Sequence, residues 1–103
     1  MNENMNLIPS IEEIVCNVFK ITSEELKDNR KFRSHTDARS VLFYLLHVKY
    51  YISFYALARY YDKHHSIIIR AVNKCELLKE TDKDFYNKYH MCELQVEIVL
   101  YLK

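Results

Sequence analysis

Ser53-Phe-Tyr-Ala-Leu-Ala-Arg-Tyr-Tyr-Asp-Lys-His-His-Ser-Ile-Ile-Ile-Arg-Ala-Val-Asn-Lys74 carries two apolar repeats separated by a polar break. Leu57 and Tyr61 stand one turn apart on a first helix. Ile68, Ala71, Val72 and Cys75 repeat at helical spacing on a second. Asp62, Lys63, His64 and His65 interrupt the pattern, and the small Ala58 permits close approach of crossing helices. This is the pattern of a helix-turn-helix, a motif whose second helix can lie in a major groove. Two amphipathic helices and a turn are also common in helical domains without that use.

Outward from this stretch the spacing stays helical, and with no Gly and one Pro the chain has little material for hairpins. The reading is an all-α domain over residues 1–103, a bundle of about six helices. Residues 1–8 read as a loose start. Ser10 and Glu13 stand in capping-box relation, so a first helix is expected after Ser10, burying Ile11, Ile14, Val15, Val18 and Phe19. A second box, Thr22 to Glu25, opens a short helix that turns Leu26 inward. Residues 29–36 read as a basic loop, suited to a sugar–phosphate backbone or a minor groove.

A third helix is expected from about Asp37 to Tyr51, with Val41, Leu42, Leu45 and Leu46 buried. The fourth spans Phe54 to Tyr61 behind an N-cap at Ser53, and the fifth His65 to about Lys79. Ser66, Ile67, Ile69, Arg70, Asn73 and Lys74 fall on the outer face of the fifth. An outward isoleucine can meet a thymine methyl or another chain. Tyr44, Tyr50, Tyr51, Tyr55, Tyr60 and Tyr61 read mostly as core or core-rim residues with hydroxyls in water. The sixth helix, residues 82–102, has one stripe of Phe85, Tyr89, Cys92, Val96 and Val99 and another of Met91, Leu94, Ile98 and Tyr101. Two apolar faces ask for two partners, so a homodimer through 82–102 is one reading and a buried helix in a monomer the other.

Charge is segregated. Lys27 to Cys75 holds ten basic residues against Asp28, Asp37 and Asp62, +7, while the remainder holds five lysines against eleven acids, −6. A basic middle suggests a polyanion; the acids also suit exposed helix faces. No apolar run approaches the roughly 20 residues of a membrane span, and Met1 to Met5 lacks the form of a signal peptide. Cys16, Cys75 and Cys92 read as reduced core residues, and a cytoplasmic location is expected. His47, His64, His65, His90 and the cysteines match no zinc-module spacing, so no metal or other cofactor is expected. Without glycine there is no phosphate loop, and the chain reads as no enzyme and no nucleotide binder.

Three ordered blocks resemble the C-terminal DNA-binding domain of the bacterial replication initiator DnaA, over roughly Ile11 to Glu80. Val18-Phe-Lys-Ile-Thr-Ser-Glu-Glu-Leu26 is similar to that family's "YYxIxxxDL". Arg30-Lys-Phe-Arg-Ser34 is similar to its "R-x-R-S" loop, and Asp62-Lys-His-His-Ser-Ile-Ile-Ile-Arg-Ala71 to its "GGRDHTTVLHA". The resemblance implies a Trp-repressor-like helix-turn-helix fold that binds double-stranded DNA in replication or transcription control, in a bacterium or phage. It implies minor-groove entry by Arg33, base reading by His64, His65 and Ser66, and a contact from His47. Ile67 and Arg70 join the base-reading face, with Arg30, Lys31, Arg39, Lys63 and Lys74 on phosphates. Such contacts weaken with salt, and histidines facing DNA strengthen binding at lower pH. The signature departs at His64, Ile67 and the turn, and Asp37-Ala38-Arg39 stands where the family has "R-P-R", so base preference differs. The family's ATPase module is not among these residues. An alternative keeps the fold and binds a protein through Ile67, Ile69 and the sixth helix.

Overall fold

The computed structural model describes residues 3–102 as helices and short connections, with no strand among them. Residues 1 and 2 of the expected loose start lie outside the described residues. The rest of that start is ordered: Glu3–Leu7 is a 3-10 helix, Ile8 is fully buried, and Asn4 Nδ2 donates to the Tyr50 carbonyl at 2.6 Å.

Helix α1 (Ile8–Phe19) therefore begins before Ser10, with Leu7 at its N-cap and no side-chain cap. Pro9 sits inside the first turn, where its missing N–H costs no hydrogen bond. Helix α2 (Ser23–Lys27) opens on the expected box: Thr22 Oγ1 accepts from Glu25 N, and Glu25 Oε1 from Thr22 N. Helix α3 (Arg33–Tyr44) starts four residues earlier than expected and passes into a π-helical turn, Leu45–Lys49. It is the central helix, buried almost all round, with Phe43 and Tyr44 joining the four expected core residues.

Helix α4 (Phe54–Tyr61) is capped by Ser53 Oγ, which accepts from Ala56 N at 3.1 Å. It ends at Asp62 in the left-handed region (φ 52). Lys63 N donates to Ala58 O and Asp62 N to Arg59 O, the paired bonds that close a helix C-terminus. Aspartate tolerates this backbone better than most residues, so the turn closes without glycine. Helix α5 (His65–Thr81) lies across α3 and α4 and buries Ile68, Val72 and Cys75.

Helix α6 (Lys83–Tyr101), capped by Asp82, buries Phe85, Tyr89, Cys92 and Val96 against α1 and α5. Val99, expected in that stripe, is exposed, and Leu100 packs against the core in its place; Met91, Leu94, Ile98 and Tyr101 are exposed too. The tyrosines divide differently from expectation. Tyr51, Tyr55 and Tyr60 face solvent, while the hydroxyls of Tyr44 and Tyr61 meet Lys79 Nζ and Glu12 Oε1 at 2.8 Å. Buried side chains from all six helices join in one apolar cluster.

Candidate nucleic-acid interface

The polar break before α5 becomes its cap. His64 Nδ1 accepts from Ser66 N at 3.1 Å and lies 2.8 Å from Ser66 Oγ. An accepting Nδ1 carries no proton, which leaves the ring N–H on Nε2. The His65 ring stacks on His64 with centroids 4.4 Å apart, and Tyr55 of α4 leans on His65 at 5.0 Å. One turn on, Ile67 is 42% exposed and Arg70 is exposed on the same side, whereas Ile69 is half-buried. Ile69 is thus not the open apolar contact expected of it.

Beside this helix start lies an open cleft of about 480 Å³ between α5, α3 and the loop after α2. Lys31, Arg39, Lys63, Arg70, Lys74 and Ile67 line it, over a floor that includes Phe43, and Asp28 is the one acid in its lining. Six of the twelve contact residues expected from sequence therefore meet on one concave surface. Burial and the nearby Arg39 guanidinium hold the Lys63 ammonium below its usual range. Crowded like charge of this kind favours an anionic ligand.

The cations differ in how free they are. Arg39 donates from Nε to Leu26 O (2.7 Å) and from Nη2 to Asp28 O (2.5 Å) and Arg30 O (2.8 Å). It thereby ties down the carbonyls of the connecting loop. Lys63 Nζ reaches Asn29 Oδ1 at 3.3 Å, and Arg30 Nε lies 3.3 Å from Asp28 Oδ2. Among the described residues, Lys31 and Arg70 have no ion-pair partner.

Arg33 is not in a loop. It is the first residue of α3, with Nε 2.9 Å from Asp37 Oδ2 and Nη2 2.6 Å from Asp82 Oδ2. Lys74 Nζ approaches the other Asp37 oxygen at 3.1 Å and Thr36 Oγ1 at 3.1 Å. Asp37, only 7% exposed, thus joins a cation of α3 to one of α5. His47 stands apart from the cleft, in the π-helical turn. Its Nδ1 is 2.7 Å from Ile52 O and its ring stacks on Phe54 at 3.8 Å, so it fastens the α3–α4 connection.

Asp37 and Asp82 were outside the site expected from sequence. Arg33 and Asp37 have helical i,i+4 spacing, a signal hidden by placing the helix start at Asp37. Among the described residues no group of three or more His, Cys, Asp or Glu side chains could hold a metal ion. Among the described residues no helix is long and apolar enough to cross a membrane.

The arrangement can hold a polyanion over the cleft while presenting α5 side chains to what that polyanion carries. A family model described as the bacterial dnaA protein helix-turn-helix matches residues 8–75, about two-thirds of the chain. No curated protein matches it.

Proposed function

Since the chain belongs to the bacterial DnaA helix-turn-helix family, we propose that it binds double-stranded DNA and acts in replication or transcription control, in a bacterium or phage. The observation that carries the reading is the meeting of Lys31, Lys63, Arg70 and Lys74 on one concave face beside the start of α5. Phosphates of one strand lie along this face, and His64, His65, Ser66, Ile67 and Arg70 face major-groove base edges. Exposed Ile67 suits a thymine methyl, and Arg70 can pair with guanine. Arg30 and Lys31, on the loop before α3, approach the neighbouring backbone. Arg33 reaches a minor groove only by leaving its carboxylates. No catalytic step belongs to this reading.

The test is a fluorescence-anisotropy titration of the intact chain with random-sequence and initiator-box duplexes. About four phosphate contacts give an affinity that falls on the order of 10²-fold between 50 and 200 mM salt. Micromolar or tighter binding with that dependence supports the reading, and no binding at low salt removes it. A preference between the duplexes measures base readout.

A second reading draws on the exposed Met91, Leu94 and Ile98 of α6, which leave an apolar stripe away from the cleft. It makes that stripe a protein contact, with a second copy of the chain among its candidate partners. Sedimentation velocity tests self-association: a monomer at high concentration excludes the homodimer.

A further inference from the structure

The basic face is partly neutralised from within. Asp37 contacts both Arg33 and Lys74, and Asp82 takes the other end of the Arg33 guanidinium. Two cations on the proposed DNA side are thus matched by two carboxylates of the protein itself. The carboxylates are not equally replaceable. Asp37 is buried, and a buried carboxylate stripped of its partners is costly, so its contacts are the firmer ones. The Asp82 side chain is 29% exposed and Arg33 68%, so that pair opens to solvent at small cost. Asp82 also has a second occupation, because its Oδ1 accepts from Phe85 N and caps α6. The α6 N-terminus thereby holds the first residue of the central helix.

Resting on the DNA-binding reading, we infer that Asp82 and Asp37 form a carboxylate clamp that competes with DNA phosphate for Arg33 and Lys74, and that Asp82 is its releasable arm. A cation held by a protein carboxylate neutralises no phosphate, so it releases none of the counterions condensed on the DNA and contributes little to the salt-dependent part of binding. DNA that engages Arg33 must first displace Asp82, whose carboxylate then lies beside the phosphates. The clamp sets affinity for any duplex and withholds Arg33 from non-specific contacts.

The substitution that isolates the clamp is Asp82→Asn, because asparagine caps a helix as well as aspartate does while lacking the charge. Asp82→Ser, also a good cap, is the second variant should the first lose helical signal by circular dichroism. Each is titrated beside the wild-type chain with a random-sequence duplex at four salt concentrations. The clamp predicts several-fold tighter binding at low salt. It also predicts a plot of log K against log salt steeper by about 0.9, for the one further phosphate that the freed Arg33 neutralises. A purely structural role for Asp82 leaves that slope alone. Wild-type binding with unchanged affinity and slope in the folded variant overturns the clamp and leaves the DNA reading standing. No binding by either protein at low salt overturns both, and binding by the variant alone supports both.

Discussion

Arg39 shows how a basic residue in a basic face can be occupied by structure. Its guanidinium gathers the carbonyls of Leu26, Asp28 and Arg30, so Arg39→Ala strands three acceptors and loosens the loop that carries Arg30 and Lys31. Chemical denaturation is expected to show a loss of about 1 to 3 kcal/mol. Arg70→Ala, by contrast, removes an exposed side chain without an ion-pair partner, and stability is expected to change by less than about 0.5 kcal/mol. Duplex affinity falls with it. If instead Arg39→Ala is neutral to stability and lowers affinity as Arg70→Ala does, the structural role of Arg39 is wrong. Arg39 reads from sequence as a phosphate contact because its charge is visible there, and His47 because the resemblance places a DNA contact on it, while hydrogen-bond partners are visible for neither. Their acceptors are backbone carbonyls of the neighbouring connections, which no side-chain pattern records.

At the scale of elements, legibility followed the caps. The α4 limits agree with the sequence reading because Ser53 is an acceptor at the right distance before an apolar repeat. The α2 box is legible for the same reason. Helix α1 begins early because a 3-10 helix leads into it and leaves Ser10 no capping task. The early start of α3 leaves no mark in the sequence, because Phe32, its N-cap residue, offers no side-chain bond. That shift carried Arg33 from a loop into a helix and concealed its pairing with Asp37. The outer face of α5 was legible from period in Ile67, Arg70 and Asn73, which are exposed, whereas Ser66, Ile69 and Lys74 are half-buried. The second stripe of α6 was legible as well, and it is open. Met91→Lys with Ile98→Lys should therefore leave the thermal midpoint within a few degrees of wild type. A cooperative loss of the fold would place that face in the core.

Across the whole molecule, several carboxylates are held below their ordinary values by native contacts. The Thr22 N–H does this for Glu25, and the Phe85 N–H followed by Arg33 for Asp82. For Glu93 burial pushes upward, but bonds from Lys49 and Tyr89 outweigh it. Their ordinary values are 4.5 for glutamate and 3.8 for aspartate. The stability they supply is complete above those values and is lost as pH falls through the lower folded-state ones. Denaturant midpoints are expected to be level from pH 7 to about 5 and then to drop, less steeply in Glu93→Gln. Burial raises the thiols to about 11 at Cys16 and about 12 at Cys75 and Cys92. At pH 8 a thiol reagent should label them only after denaturant is added, and rapid native labelling would contradict the packed core.

DNA is proposed to lie on the α5 cleft. The measurement that tests it most directly compares duplex affinity, at 50 mM salt, of wild type, Lys63→Ala/Arg70→Ala and Met91→Lys/Ile98→Lys, each checked for helicity. A loss on the order of tenfold or more is expected for the cleft pair, and no loss for the α6 pair, whose added lysines lie outside the cleft lining. Unchanged affinity in the folded cleft pair, or a loss confined to the α6 pair, would contradict that placement.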